Sequence, residues 1–398
     1  MKLFVYDWNF ITKKALYQSF REQGIEFDLF SPPYSPRIAA QRKGFGEELE
    51  KALEGKEYDA LFSINFWGEL ARAAKERDML YICWTYDSPA VSSMDQAVFL
   101  DTNRIFVFDS HEYQNGRADG IPNLHYLPLA VDVKEMNRLK PTPQQLFRYR
   151  ADISLVGKLY KSETDRLFSL LDEYSGGYIS AIVNTQMNIY NANVIKELIN
   201  EKLISRMINE DVVKMLADNL NDNFLHDVKE VNTHLMYLFL NKAVTNKERL
   251  LLLSLLSRYH SVKLYSMDKS GIEGVREMGL VEYNTQTPLV FKGSRINLNV
   301  TLRTIRHGIP QRVLDIMACR ALALTNYQED LLEYFRDGES VLIYSSAEEA
   351  LDKCNYYLAH DAEAEKIRQN GYKIVKDKFS YKQQLDKIWE LSGVKDRL

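Results

Sequence analysis

The first 130 residues alternate short apolar runs with amphipathic stretches. Each apolar run has the length of a strand and ends in polar residues, and apolar side chains recur at helical spacing between the runs. The predicted strands cover residues 2–6, 25–30, 58–64, 80–84 and 104–108, and the predicted helices cover 12–23, 47–53 and 68–77. Strands separated by helices of this length predict βαβ units and therefore a parallel sheet.

The same rhythm returns in the second half of the chain. Its predicted strands cover residues 152–158, 262–265, 296–300, 321–325 and 340–344, and its predicted helices cover 160–174, 247–259, 311–319, 329–335, 347–358, 363–378 and 383–391. Between them, residues from about 175 to 245 are polar, rich in Asn and helical in their periodicity, which indicates a helical insertion. The fold class predicted for the whole chain is therefore α/β.

Proline and polar residues interrupt the regular pattern between residues 133 and 150, where Pro141 and Pro143 stand close together. Such a segment is typical of a boundary between domains. The predicted organisation is a Rossmann-like domain over 1–135, a linker over 136–150, a second Rossmann-like domain over 151–378, and a terminal helix over 379–398 that packs back on the first domain.

Composition narrows the function classes. The 398 residues include 51 Lys and Arg against 55 Asp and Glu, a net charge of −4, and 45% are hydrophobic. This balance argues against a disordered chain and against a nucleic-acid partner, which calls for a strongly basic face. Three scattered cysteines fit neither a disulfide framework nor a zinc site. The polar turn at Asp7 argues against a signal peptide, and the apolar run 250–256 is too short to span a bilayer. We expect a cytoplasmic protein, with peripheral membrane contact and oligomeric state left open.

The most informative chemistry follows the predicted strand 296–300. The loop carries Arg303 and Arg306, Gly308-Ile309-Pro310 opens the next helix, and Arg312 lies in that helix. A helix N-terminus offers unpaired N–H groups and a partial positive charge, so together with these cations it suits a diphosphate. Asp315 shares a face with Arg312 and could accept hydrogen bonds from ribose hydroxyls. The alternative is a solvated, arginine-rich loop followed by an Arg–Asp helix pair.

The segment 297–330, with its core G-I-P-x-R-x-L-D-x-M-A-C, resembles the C-terminal half of the CgeB-like, spore-maturation branch of the family 1 and family 4-type glycosyltransferases. Residues 338–381 continue the resemblance. The segments 59–66, 84–89 and 127–132 resemble the domain that accompanies these transferases. The resemblance implies a GT-B fold, in which two Rossmann-like domains face each other across a cleft. The second domain would bind a nucleotide-sugar and the first domain the acceptor.

The resemblance also assigns roles by position. Asp315 matches the acid that contacts the nucleotide ribose, and Gly157-Lys158 match a Gly–basic pair, so that Lys158 is a candidate diphosphate contact. His307 stands where family 4 members often carry a second acid, and Arg320 stands where relatives usually have Gly. The remaining candidate donor-binding residues are Tyr265, Tyr283, Asn299, Arg303, Gly308, Pro310, Gln311 and Arg312. For the two tyrosines, core packing is the alternative to flanking the base.

The candidate catalytic residues are Asp87 and His307. Asp87 follows the predicted strand 80–84, and the carboxyl ends of parallel strands face the ligand, so it could accept the proton of an acceptor hydroxyl. An Asx turn or a cap before residue 90 is the alternative. His307 could bond a sugar hydroxyl or a phosphate. Asp7, Asn9 and the segment 109–111 are further candidates on the acceptor side, where capping is at least an equal alternative.

The leading hypothesis is a glycosyltransferase of hexosyltransferase type. It would move a sugar from a nucleotide-diphosphate sugar to a hydroxyl of a glycan, lipid-linked or protein acceptor, as in cell-envelope or spore-surface glycans. The resemblance implies transfer without an essential metal or other cofactor, and the sequence contains no Asp-x-Asp triplet. The alternatives are a non-catalytic GT-B-like module that binds nucleotide-sugar or glycan and, less favoured, a nucleotide-sugar epimerase.

Overall fold

The computed structural model describes residues 1–32, 44–89, 95–199, 201–207, 210–218 and 228–394. They fall into two compact units. Unit 1 holds Met1–Ala130 and Phe379–Leu398, and unit 2 holds Val131–Leu220 and His226–Lys378. In the described residues each unit has one six-stranded sheet, and all strand pairs are parallel. The α/β class and the two Rossmann-like halves predicted from the alternation of strands and helices are confirmed.

Unit 1 follows the predicted pattern closely. Its strands are β1 (Lys2–Tyr6), β2 (Glu26–Phe30), β3 (Ala60–Ile64), β4 (Leu80–Trp84), β5 (Asn103–Val107) and β6 (Leu124–Tyr126), in the order β2-β1-β3-β4-β5-β6. Its helices are α1 (Lys13–Glu22), α2 (Phe45–Leu53), α3 (Gly68–Glu76) and α4 (Ser110–Ala118), with a short 3₁₀ helix at Gln96–Phe99. Every residue of β3 and β4 is buried, as expected for central parallel strands covered on both faces.

Unit 2 is built on the second sheet. Its strands are β7 (Ala151–Val156), β8 (Val262–Tyr265), β9 (Val275–Glu277), β10 (Ser294–Asn299), β11 (Ala323–Asn326) and β12 (Leu342–Tyr344), in the order β12-β11-β10-β7-β8-β9. Because β7 and β10 are neighbours, the loops that follow Val156 and Asn299 leave the same edge of the sheet. In parallel sheets that edge is where ligands bind.

The helices of unit 2 surround this sheet and form the insertion. They are α5 (Val133–Arg138), α6 (Pro143–Tyr149), α7 (Lys161–Leu170), α8 (Glu173–Met187), α9 (Ile195–Leu198), α10 (Glu201–Met207), α11 (Glu210–Asp218), α12 (Val228–Leu256), α13 (Thr287–Gly293), α14 (Gln311–Ala318), α15 (Leu331–Tyr334), α16 (Ala347–Ala359) and α17 (Asp361–Lys378). The last helix of the chain, α18 (Tyr381–Ser392), belongs to unit 1.

Two predictions near the start of unit 2 need correction. The interruption expected between 133 and 150 is confined to residues 139–142, because α5 and α6 occupy most of that segment. Thr142 caps α6 by accepting from the Gln145 N–H, and Pro143 takes the first helical position, where its missing N–H is harmless. The predicted helix over 160–174 is two helices. Asp172 starts the second by accepting from the Ser175 N–H at 2.7 Å.

The helical insertion ends differently from its prediction. A break near residue 245 was expected, but α12 continues unbroken into the α/β part of unit 2. The helix contains no Gly and no Pro, the two residues that most disfavour a helix interior, so it has no residue at which to break. The buried Thr245 side chain is satisfied within the helix, since its hydroxyl donates to the Asn241 carbonyl at 2.8 Å. The helix therefore links the insertion to the sheet.

Candidate functional site

The centre of the site is Gly157, the first residue after β7. Its φ of 146° is a backbone conformation that favours glycine. A Cβ at this position would lie 3.8 Å from Nη1 of Arg249 and 3.8 Å from Nη1 of Arg312. Arg312 lies in the first turn of α14, and Arg249 lies near the C-terminal end of α12. Two helices that are far apart in sequence thus place guanidinium groups beside the same backbone.

Both guanidinium groups are held by carbonyl oxygens. Arg312 Nη1 donates to the Val156 carbonyl, Arg249 Nη1 donates to the Lys158 carbonyl, and Arg249 Nη2 donates to the Val300 carbonyl at 2.5 Å. Within the described ranges, neither arginine forms an ion pair with a carboxylate. Burial lowers the pKa of Arg312, Asp315 opposes that effect, and the neighbouring Arg249 charge adds to it. Two like charges, with no ion-paired carboxylate among the described residues, make this a place where an anion would be favoured.

Further donors lie around the same point. Lys158 is exposed, and its ammonium has no hydrogen bond or ion pair with any residue that the structure describes. The Nε of Arg249 is buried and has no hydrogen-bond acceptor in the part of the chain that the structure describes. Pro310 occupies the N-cap position of α14, whose first turn carries no acidic side chain. The positive end of this helix dipole is therefore not neutralised locally.

Asp315 lies one turn into α14 and is 1% exposed. Its Oδ1 accepts hydrogen bonds from the Tyr283 hydroxyl at 2.9 Å and from Gln311 Nε2 at 2.8 Å. Burial raises the pKa of Asp315 to about 6, while Gln311, Arg312 and Tyr283 act in the opposite direction. At neutral pH the group is therefore a carboxylate, which can only accept hydrogen bonds. Such an acceptor suits the hydroxyl groups of a ligand, which can donate them.

Two predicted donor contacts lie in buried polar networks. Arg303 Nη2 is 2.8 Å from Glu248 Oε2, and the two side chains are 7% and 1% exposed. The Arg303 charge is thus matched, unlike that of Arg249 and Arg312. Asn299 donates to the Thr301 and Thr325 hydroxyls at 3.0 and 2.9 Å. The role of both residues toward a donor stays a prediction.

The remaining predicted residues of unit 2 divide between site and core. Tyr283 contacts Asp315, whereas Tyr265 is 2% exposed and packs against Tyr149 with ring centroids 6.3 Å apart, which favours the packing alternative for Tyr265. His307 Nε2 lies 3.2 Å from Glu329 Oε2. The buried Gly308 lies in the loop before α14, and its carbonyl accepts from Gln328 Nε2 at 3.4 Å.

The acceptor-side candidates belong to unit 1. Asp87 is exposed and accepts from Asn65 Nδ2 at 2.6 Å, and Asn65 Oδ1 accepts from the backbone N–H of Asp87 at 3.2 Å. Asp7 accepts from the Tyr17 and Ser31 hydroxyls, each at 2.8 Å. Residues 90–94, where the alternative helix cap was expected, lie outside the described residues.

The segment 109–111 caps a helix. Asp109 accepts from the His111 N–H at 2.9 Å and so begins α4, a helix that the sequence pattern did not predict. The Asp109 side chain therefore acts as a helix cap, as the alternative interpretation predicts.

Asn9 is exposed in the loop after β1.

Arg249 is the residue of the site that the sequence pattern missed. The signal was weak: a single arginine before an apolar run reads as a helix surface residue. Around it, α12 reaches both loops of the site. The Thr245 hydroxyl accepts from the Arg303 N–H at 3.1 Å, Glu248 pairs with Arg303, and Asn246 Nδ2 donates to the Leu159 carbonyl at 2.9 Å. One helix of the insertion thus organises the loops after β7 and β10.

The described residues show neither a metal-binding cluster nor a membrane-spanning helix. No group of three or more His, Cys, Asp and Glu side chains is arranged to hold a metal ion. Among the described helices, none is both long and apolar enough to cross a membrane.

Comparison with known proteins gives one family match. Residues 245–390 match a family described as glycosyl transferase-like. No curated protein matches the chain. The match begins within α12 and includes Arg249, Arg312 and Asp315. The narrower resemblance to the CgeB-like branch stays a prediction.

Several solved structures share the fold along nearly the whole chain. Sucrose-phosphate synthase from Thermosynechococcus elongatus superimposes with a TM-score of 0.57, at 10% identity and with 98% of each chain covered. Anabaena Alr3699/HepE, solved in complex with UDP-glucose, gives 0.53 at 12% identity and 98% coverage of each chain. WaaG, a glycosyltransferase involved in lipopolysaccharide biosynthesis, gives 0.53 at 10% identity, covering 99% of this chain and 100% of its own. The chain therefore has the GT-B fold, and its residues 245–390 are similar to the glycosyl transferase-like family.

Proposed function

We propose that the protein is a glycosyltransferase that moves a sugar from a nucleotide-diphosphate sugar to an acceptor hydroxyl. The observation that carries the proposal is the pair of guanidinium groups, Arg249 and Arg312, beside Gly157, neither of them ion-paired with a carboxylate of the described residues. A diphosphate would supply the missing negative charge. The UDP-glucose complex of the Anabaena protein shows that a chain of this fold binds such a donor.

The donor would bind with its diphosphate at Gly157. Arg249, Arg312, Lys158 and the N-terminus of α14 would surround it, and Asp315 would accept hydrogen bonds from the ribose. As the bond between the anomeric carbon and the diphosphate oxygen breaks, negative charge develops on the leaving group. Cations already in place stabilise that charge without reorganisation. We therefore propose transfer without an essential metal ion.

On the acceptor side we propose Asp87 as the base. An acceptor oxygen would attack the anomeric carbon while its proton passes to the exposed Asp87 carboxylate. His307 would hydrogen-bond the sugar or a phosphate oxygen. We expect a hydroxyl of a glycan, lipid-linked or protein acceptor, and a hexose as the transferred group. The core over residues 308–319 supports placing the protein in the CgeB-like branch.

Calorimetry with nucleoside diphosphates tests the donor site. Arg249→Gln and Arg312→Gln should each weaken binding by about tenfold or more, because each removes a charge-assisted contact to phosphate. Arg258→Gln is the matched control, since Arg258 is exposed just beyond the end of α12 and should leave affinity unchanged. Wild-type affinity in both site variants would overturn the assignment.

Release of nucleoside diphosphate from a panel of nucleotide-sugars, with and without saccharide acceptors, tests catalysis. Turnover should persist in excess EDTA and fall at least about a hundredfold in Asp87→Asn, which cannot accept a proton. Nucleotide binding without turnover on any donor and acceptor would favour the non-catalytic binding module. Loss of turnover in EDTA would contradict the metal-independent route.

A further inference from the structure

The loop after β4, which carries the proposed base Asp87, is held by a residue at the end of the neighbouring strand. Asn65 comes directly after β3, and β3 pairs in parallel with β4, so both strands end at the same edge of the sheet. Asn65 Oδ1 accepts from the Tyr86 N–H at 2.8 Å and from the Asp87 N–H at 3.2 Å, and Asn65 Nδ2 donates to Asp87 Oδ2 at 2.6 Å. One amide therefore binds both the backbone of the loop and its carboxylate.

The backbone of Asn65 has a conformation that most residues avoid. Its φ of 62° lies in the left-handed region, which Asn tolerates better than most side chains do. The Ser63 hydroxyl donates to the Asn65 carbonyl at 2.6 Å and lies 2.7 Å from the hydroxyl of the fully buried Tyr81, which accepts from the Trp67 N–H at 3.0 Å. Buried neighbours thus hold the residue in this conformation, as is typical of strained residues at functional sites.

The contact from Asn65 leaves one oxygen of Asp87 for chemistry. Nδ2 of Asn65 holds Oδ2, whereas Oδ1 accepts from no residue that the structure describes. Asp87 is exposed, so its carboxylate would rotate freely without this contact. A group that is already oriented loses less freedom when the reaction aligns it with a substrate.

A second contact holds the same loop without reaching the carboxylate. The Tyr86 hydroxyl lies 3.0 Å from the hydroxyl of Tyr381, the first residue of α18, and the Tyr86 ring meets that of Trp84 edge-on at 5.2 Å. These contacts fix Tyr86. Among the described residues, Asn65 is the only one that hydrogen-bonds the Asp87 carboxylate.

We infer that Asn65 is the positioning residue of the proposed base, because it orients the Asp87 carboxylate and leaves Oδ1 to take the proton of the acceptor. In the transfer step the acceptor oxygen bonds to the anomeric carbon while the bond from that carbon to the diphosphate oxygen breaks. The electron pair of the broken bond leaves with the diphosphate, and the acceptor proton passes to Asp87 Oδ1. The inference rests on the proposed function, since it requires Asp87 to act as a base.

Steady-state kinetics of Asn65→Gly test the inference. Glycine adopts a φ of 62° readily, so this variant removes the amide without straining the backbone. The kcat should fall by about tenfold or more, because the base is no longer oriented. The acid limb of the pH–rate profile should move to higher pH, because a carboxylate that loses a hydrogen-bond donor has a higher pKa. Nucleoside diphosphate affinity should equal that of the wild type, since Arg249 and Arg312 lie in unit 2.

Asn65→Asp separates orientation of the carboxylate from anchoring of the loop. The new side chain keeps an oxygen for the N–H groups of Tyr86 and Asp87, but it places a second carboxylate where Nδ2 was. Two carboxylates in contact disfavour ionisation of both, so the acid limb should move further to high pH than in Asn65→Gly. Anchoring alone would leave the pH profile of Asn65→Asp unchanged.

Asn123→Gly is the matched control. Asn123 also has a left-handed backbone, with a φ of 50°, and its Nδ2 donates to the Asp101 carbonyl at 3.1 Å. It comes directly before β6, at the edge of the parallel sheet opposite to the one where Asp87 lies. Its turnover and pH profile should therefore equal those of the wild type.

Combination with Asp87→Asn separates this inference from the proposed function. If Asn65 acts through Asp87, Asn65→Gly should cost little further turnover in the Asp87→Asn background, whereas independent effects would multiply. Wild-type turnover in Asn65→Gly, an unmoved acid limb or multiplied losses would overturn the inference and leave the proposed function standing. Absence of turnover by the wild type on every donor and acceptor would refute the proposed function, and this inference with it.

Discussion

At the residue scale, Asp315 combines a stability cost with a proposed binding role. It is almost fully buried, yet it is surrounded by Tyr283 and Gln311, which both donate to one of its oxygens. Burial raises its pKa to about 6 despite these bonds. A buried carboxylate whose desolvation is only partly offset by hydrogen bonds is typical of a ligand-binding site. The same residue was predicted from the sequence as the ribose contact.

Asp315→Asn should stabilise the ligand-free protein while weakening nucleotide-sugar binding. Between the unfolded pKa near 4 and the folded pKa near 6, the folded state holds a proton that the unfolded state has lost. The free energy of unfolding therefore falls as pH rises through this window and stays lower above it. Asn keeps an oxygen for both donors, so we expect a gain of about 1–3 kcal/mol at neutral pH.

Urea denaturation at about pH 7.5 and about pH 4 measures this gain. The gain should largely disappear at the lower pH, because Asp315 is then protonated in the wild type. A gain of equal size at both pH values would show that ionisation of Asp315 is not its cause.

At the element scale, the approach of α17 to the backbone at Ser340 depends on one glycine. A Cβ on Gly371 of α17 would lie 2.5 Å from the Ser340 carbonyl oxygen and 3.5 Å from Met317 Cγ and Sδ on α14. Real Cβ atoms do not approach a backbone oxygen so closely. A side chain at this position would therefore force α17 away from the Ser340 backbone.

Gly371→Ala should destabilise the protein by about 1–3 kcal/mol, although alanine is the better helix former. The matched control is Gly177→Ala on α8, where nothing lies within 4 Å of the new Cβ. That change should stabilise the protein by about 0.5–1 kcal/mol. Thermal or urea unfolding of the two variants should therefore give shifts of opposite sign, and the same sign for both would contradict the packing argument.

At the scale of the whole molecule, unit 1 is assembled from segments on both sides of unit 2 in the chain. Its core contains Leu385, Ile388 and Trp389 of α18 together with residues of β1, β3, β4 and α1. Trp389 is 1% exposed, packs near Phe20 and Phe62, and donates from Nε1 to Gln23 Oε1 at 2.8 Å. Unit 1 therefore depends on α18 for its core.

Trp389→Ala should lower the free energy of unfolding by about 3–5 kcal/mol, because it removes a buried aromatic side chain and leaves a cavity. Leu391→Ala, on the same helix but 46% exposed, is the control and should change stability by less than about 0.5 kcal/mol. Below the unfolding transition, nucleoside diphosphate affinity should equal that of the wild type, because Arg249 and Arg312 lie in unit 2. A loss of affinity in the folded variant would contradict this separation.

Local patterns in the sequence determined the α/β class, most strands and the helix that begins after Pro310, because periodicity and caps act over neighbouring residues. They also pointed to Arg312 and Asp315. Only the tertiary structure decided which charges are matched: it pairs Arg303 with Glu248 and leaves Arg249 beside Arg312 at Gly157. Residues 157, 249 and 312 are distant in sequence, and their proximity depends on strand order and on the unbroken α12, neither of which a local pattern encodes.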